Sequence, residues 1–266
     1  MGTITKALEM LNFFSDSRPQ IGLSDFVRLT GRDKATVHRH LVELEQNGFL
    51  EQHPGTRAYR LGPAILRLSA VREATYPVRS ILRPVVTELA EEVGELVHAS
   101  VLQGYRLSPV FHHDPMLHGT QVHFDQAEML PLHATSSGLA VLAYAPEPFR
   151  RSILGGDLVA YTERTVTDPA TLHVLLDEIH AGGVSRLSGA YDGEVTSQGV
   201  PVFGPGGSVT GALSAALPSV RATPGTLDRI AAALRAGAVR ATRVLGGEMP
   251  ARYPLPPQTT LEAREV

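Results

Sequence analysis

The stretch Thr30–Gly62, TGRDKATVHRHLVELEQNGFLEQHPGTRAYRLG, does most to limit what this chain can fold into. Asp33 can cap a helix over residues 34–47, and Gly48 suits the left-handed position just past its end. With Val37 at zero and about 100° per residue, Leu41 falls near 40° and Leu44 near 340°, a narrow apolar stripe. Thr36, Arg39 and Glu43 fall on the opposite face, with Lys34 and His40 at its flanks. Two short strands are expected next, over residues 49–52 and 57–61, joined by the Pro54-Gly55 turn.

Upstream, Ile4, Ala7, Leu8 and Leu11 recur at helical spacing, which predicts a first helix over residues 3–14 with one apolar stripe. Ser24 can N-cap a second, short helix over residues 25–30 with Phe26, Val27 and Leu29 inward. Gly31 ends it in a tight turn. The order helix, helix, turn, helix, hairpin is a winged helix-turn-helix in about 60 residues. Read without that hairpin, the polar face of residues 34–47 is simply the solvated side of a small bundle. With it, the third helix fits a DNA major groove about 12 Å wide. The candidate DNA contacts are then Lys34, Thr36, His38, Arg39 and His40 on the helix, Ser24 before it, and Arg57 in the wing. Glu43 fits either a base contact or, more simply, an i, i+4 pair with Arg39.

Charge agrees in direction. Residues 1–76 carry ten Lys and Arg against eight Asp and Glu, whereas the remainder carries 14 against 19. Only the first segment faces phosphates comfortably. With so few cations per protomer, useful affinity implies a dimer reading two half-sites. At 43% hydrophobic and 19% charged residues, the 266-residue chain reads as globular. It has no apolar run of membrane-spanning length and no signal-peptide pattern at its start. With no Cys, disulfides and Cys-bound zinc are excluded. A cytoplasmic location is the expectation.

Further along, residues 63–75 read as a connecting helix. A second helix is expected to run to Val93, kinked or started by Pro84. LVHASVLQG, RLSPVF and TQVHF read as strands, SSGLAVLAYA and ATLHVLLDEIHA as helices. Two strands flank the turn at 204–207, and residues 226–245 form a last amphipathic helix. Antiparallel strands interleaved with helices give an α+β sensor-type domain. The expected division is 1–62 winged helix-turn-helix, 63–76 linker helix, 77–247 effector-binding and oligomerisation domain, and 248–266 a Pro-rich disordered tail.

These strings carry a family likeness. Gly31–Leu50 followed by YRLGPAILRLS resembles the DNA-binding domain of IclR-type transcriptional regulators. LPLHATSSGLAVLA at 130–143 and PVFGPGGSVTGALSAALP at 201–218 resemble their GAF-like α/β effector-binding domain. The resemblance implies a homodimer or homotetramer that binds a double-stranded operator, as repressor or activator. It also implies tuning by a small organic acid or aromatic metabolite, and no cofactor. Three positions depart from the family pattern: Leu139 stands where Lys is common, Ala190 where Glu is usual, and Glu194 where Gly is usual. These departures keep an alternative open, a ligand-independent regulator whose C-terminal domain only oligomerises.

By that resemblance, Ser136, Ser137 and the Gly138 amide form a carboxylate cradle at a helix N-terminus. Val122 and Leu130 supply apolar walls, and Ser197 and Ser214 supply polar contacts. Read bare, HATSSG is an ordinary N-cap. His133 is expected to brace the pocket loop. Six of the eleven histidines fall within residues 98–133. His112, His113, Asp114 and His118 are conceivable metal ligands, but a polar surface loop is the simpler reading, and no metal is expected. Neither a G-x-S-x-G elbow, a phosphate loop nor a dinucleotide fingerprint occurs, so no enzyme is expected.

Overall fold

The structure is a computed structural model and describes residues 2–254. The chain divides into two compact units, Met1–Val78 with Phe124–Glu128, and Arg79–His123 with Met129–Val266.

The first unit begins with α1 (Thr3–Leu11), α2 (Leu23–Thr30) and α3 (Lys34–Gln46). Gly31 (φ 63°) closes α2 in the left-handed conformation, and Gly48 (φ 74°) follows α3 in the same way. Asp33 caps α3, accepting from the Thr36 amide at 2.9 Å. Gly22, not Ser24, is the N-cap of α2; Ser24 lies inside its first turn. The hairpin pairs β1 (Leu50–Gln52) with β2 (Tyr59–Leu61). Ile21 and Tyr59 exchange amide hydrogen bonds at 2.9 Å, an isolated bridge that ties the loop before α2 to the hairpin.

Met10, Phe14, Ile21, Phe26, Leu41 and Tyr59 belong to a closed core. Phe26 sits at its centre, edge-on to Phe13, Phe14 and Tyr59. The expected stripe on α1 splits in two. Ala7, Met10 and Leu11 turn inward, while Ile4 is 76% and Leu8 49% exposed. The connecting helix α4 (Pro63–Thr75) follows; of its residues only Ala64 is buried.

The second unit contains α5 (Val78–Val93), which carries Pro84 in its interior, so this proline does not mark the start. Its sheet has the order β5-β4-β3-β8-β7-β6, antiparallel wherever strands pair. The strands are β3 (Leu96–Gln103), β4 (Arg106–His113), β5 (Leu130–Pro131), β6 (Ser185–Ser188), β7 (Val195–Phe203) and β8 (Val209–Pro218). The strand expected at TQVHF is absent; residues 120–124 have no regular structure, and the third strand is the short β5. The helices are α6 (Ser136–Tyr144), α7 (Glu147–Leu154), α8 (Pro169–Gly182) and α9 (Pro224–Val244). Sequence periodicity identified neither α7 nor β6.

The two faces of the sheet follow from adjacent residues of β7, which must point oppositely. A Cβ on Gly199 would meet the Ser136 carbonyl carbon at 2.7 Å, so α6 lies on that face. The Gln198 amide, oriented to donate to the Leu227 carbonyl (2.9 Å), reaches α9 on the other. Gly237 lets α9 approach Leu89 of α5.

Disorder from residue 248 is corrected in part. The Glu248 amide donates to the Gly204 carbonyl at 3.1 Å. Tyr253 is buried between Tyr144 and Phe203, and its hydroxyl donates to the Gly183 carbonyl at 3.2 Å. Residues 255–266 of the expected tail lie outside the described residues.

Candidate nucleic-acid interface and effector site

On α3 the apolar stripe is Val37, Leu41 and Leu44; the side opposite leaves Arg39 and Glu43 exposed, with Thr36 half-buried, and Lys34 and His38 are exposed on the flank. Hydrogen bonds from Thr36 hold the Asp33 carboxyl below its ordinary range, so the capping group stays ionised. The expected Arg39–Glu43 pair is not formed. Of the first unit's ten cations, Arg28 is taken by Asp25, Arg32 by Glu9 and Arg60 by Glu51. Lys34, Arg39 and Arg57 make no ion pair among the described residues, and neither do Lys6, Arg18, Arg67 and Arg72. Arg57 stands at the exposed wing tip with φ 59°. Ser24 is exposed on α2.

His40 is a correction. It is 3% exposed, and its Nδ1 has no hydrogen-bond partner. Three residues past Val37 it lies near 300°, on the flank of the inward stripe, and the elements packed against α3 cover it there. Burial pushes its pKa down, and Arg39, Arg32 and Lys6 add to the effect. A neutral core imidazole does not read bases.

In the second unit, strand register lines up one row across five strands: His112 on β4, His98 on β3, Ser214 on β8, Gly199 on β7 and Ser185 on β6. The row faces α6. Ser136 Oγ and Ser214 Oγ are 2.9 Å apart, Ser214 donates to the Gln198 carbonyl, and Ser185 donates to the Ser136 carbonyl. His98 Nδ1 lies 3.1 Å from Ser100 Oγ. Burial, with His112 beside it, pushes the His98 pKa down to about 3, so this imidazole is neutral. In an apolar strand reading LVHASVLQ, that histidine was the signal for a polar row, and sequence reasoning passed over it.

The carboxylate cradle is filled by the chain itself. Thr135 caps α6, and its Oγ1 accepts from the Gly138 amide at 3.1 Å. Ser137 Oγ turns to Thr135, and the backbone of Gly199 lies against Ser136 and Ser137. Gly138 is forced: a Cβ there would sit 2.4 Å from the Leu132 carbonyl oxygen. Leu130 is buried, whereas Val122 and Ser197 are half-buried. His133 Nε2 lies 2.9 Å from the Val159 carbonyl, so it ties its loop to residues 158–161.

The histidines do not form one surface loop. His98 and His112 are opposed on strands, His113 meets Glu91 at 2.9 Å, and His118 approaches Glu95 at 3.6 Å. Among the described residues no group of three or more His, Asp or Glu is placed to hold a metal ion. Among the same residues no helix is long and apolar enough to cross a membrane.

Residues 73–243 match the family profile described as Bacterial transcriptional regulator IclR C-terminal, and residues 3–54 match the IclR helix-turn-helix domain. The chain belongs to the IclR family of bacterial transcriptional regulators. The family consists of regulators, not enzymes, and its helix-turn-helix domain implies a DNA partner. The Glycerol operon regulatory protein of Streptomyces coelicolor is 32% identical over 74% of this chain and 75% of its own. A crystal structure of an IclR regulator from Silicibacter sp. TM1040 is 44% identical, with a TM-score of 0.85, covering 95% of this chain and 100% of that one. An IclR homologue from Microbacterium hydrocarbonoxydans, crystallised with 4-hydroxybenzoate, is 27% identical with a TM-score of 0.73, covering 92% and 99%.

Proposed function

We propose that this IclR-family protein is a homo-oligomeric operator-binding regulator whose occupancy of DNA is tuned by a small molecule held in its second unit. The observation that carries the DNA half is the exposed face of α3 and the wing tip. Lys34 and Arg39 on the helix and Arg57 on the wing stand exposed without carboxylate partners among the described residues, while Arg28, Arg32 and Arg60 are paired. Unpaired cations are what phosphates and guanine edges require. Thr36, His38 and Ser24 flank them as polar contacts; His40 is dropped from the set.

Oligomerisation is supported by unburied apolar side chains. Ile4 and Leu8 on α1, with Leu66 (76% exposed) and Val71 (56%) on α4, are left largely uncovered by the described residues. A dimer would also double the few cations available.

For the effector, the polar row on the α6 face and the 4-hydroxybenzoate complex of the Microbacterium relative support an aromatic or organic-acid ligand. The contacts proposed for it are Ser136, Ser137, Gly138, Ser197 and Ser214, with Val122 and Leu130 as apolar walls. One observation favours the second reading, a ligand-independent oligomer: the cradle is already satisfied internally, so a carboxylate reaching it must displace the Ser136–Ser214 bond.

Two measurements test this. Arg39→Ala should weaken binding to a duplex selected by the protein from a random pool by at least about 1 kcal/mol; unchanged affinity rejects the recognition-helix assignment. Calorimetric titration of the full-length protein with 4-hydroxybenzoate and a panel of small organic acids tests the effector. Binding that alters DNA affinity supports the ligand-tuned reading, and no binding across the panel supports the ligand-independent oligomer.

A further inference from the structure

The tip of the wing is held in an uncommon conformation by side chains that no DNA-contact reading requires. Arg57 has φ 59°, the left-handed region that residues with a Cβ seldom occupy. Its backbone is fixed at both ends. The Arg57 amide donates to the His53 carbonyl at 2.9 Å, and its carbonyl accepts from Gln52 Nε2 at 2.9 Å. The three residues between are ordered by His53. Its Nδ1 accepts from the amides of Gly55 and Thr56, each at 3.2 Å. The His53 amide donates to the Ala58 carbonyl at 2.8 Å, and Thr56 Oγ1 accepts from the Ala58 amide at 3.3 Å. Thus Pro54–Arg57, all exposed, form a turn whose inward amides are satisfied by one imidazole.

The imidazole does here what asparagine does in an Asx turn, accepting from amides two and three residues on. The atoms correspond: Nδ1 of histidine and Oδ1 of asparagine are both bonded to Cγ. A tip ordered before binding loses less conformational freedom on docking. Arg57 is the cation such ordering would serve, since it has no ion pair among the described residues.

We propose that His53 is a positioning residue for DNA binding: by capping the Gly55 and Thr56 amides it fixes the wing turn that presents Arg57 to the DNA. The proposal rests on the reading of the wing as a DNA contact, and the test separates the two. Affinity of the full-length protein for a fluorescein-labelled duplex, selected by the wild type from a random pool, is read by anisotropy. Arg57→Ala, His53→Ala, His53→Asn, His53→Gln and the double variant H53A/R57A are compared, each with its melting temperature.

His53→Ala is expected to weaken binding by about three- to tenfold, while His53→Asn stays within about twofold of wild type. His53→Gln, whose oxygen lies one bond farther out, behaves like the Ala variant. In the Arg57→Ala background, the loss of His53 costs less than about 1.5-fold, because the two act as one unit. If His53→Ala does not fold, the comparison of Asn with Gln carries the same contrast. Unchanged affinity for Arg57→Ala rejects the wing contact, and the proposal with it. If Arg57→Ala weakens binding but His53→Ala does not, or if His53→Ala costs as much with Arg57 absent, His53 is no positioning residue and the wing contact stands.

Discussion

His40 and His98 are both buried imidazoles. Both have pKa values pushed below the ordinary value near 6.5, by burial first. For a group whose folded pKa is depressed in this way, the unfolded chain binds more protons in acid. The stability that depends on the neutral form is complete above about pH 6.5 and is lost as the pH falls below it, down to about 3 in the case of His98. Urea denaturation at pH 7.5 and 5.5 should therefore show a less stable protein in acid. His40→Leu, which puts an apolar group on the same stripe, should reduce that loss; an unaltered pH dependence would refute the account of His40. The residue was legible as helical and adjacent to the reading face. Whether a flank position turns in or out is decided by the neighbouring elements, and a 100° periodicity does not supply that. The same holds for the serines of α6. Their type announced a polar N-terminus, but the partner that Ser136 finds, Ser214, lies 78 residues away.

At the scale of elements, local signals sufficed where local chemistry sets the outcome. Asp33 and Gly48 bound α3, Thr135 caps α6, and Gly183 closes α8 with φ 74°. They failed where pairing is nonlocal. TQVHF alternates like a strand yet has no regular structure, while β6 is a strand because Ser185–Ser188 pairs with Thr196–Gly199. The residues after α9 show the same limit. Their Pro-rich, polar composition suggested disorder, but residues up to 254 are held: the Glu248 amide bonds the Gly204 carbonyl, and Tyr253 closes a cluster with Tyr144 and Phe203. Truncating a buried aromatic removes its contacts and leaves a cavity. Tyr253→Ala is expected to destabilise the second unit by about 3 kcal/mol. The check is chemical denaturation; a change under about 0.5 kcal/mol, the range of surface substitutions, would mean the segment is a passive end.

For the whole molecule, the apolar side chains left bare on α1 and α4 lead to a prediction about assembly. Leu66→Asp places a charge on a helix of which only Ala64 is buried, so each unit keeps its core. Light scattering should then find a smaller species than the wild type, with far weaker operator binding; an unchanged mass would remove α4 from the interface. The two units also differ in how far along the chain their contacts reach. The core of the first closes over fewer than 60 residues, from Met10 to Tyr59. The second requires β3 to pair with β8, Leu96 opposite Ala216. During synthesis the helix-turn-helix core is thus complete in sequence while the sheet of the second unit still lacks a central strand, β8. An open edge on β3 must wait for some hundred residues to emerge, the circumstance in which chains mispair or aggregate. Premature termination before residue 209 would release a product that carries the whole helix-turn-helix core but lacks β8, the strand that covers the β3 edge.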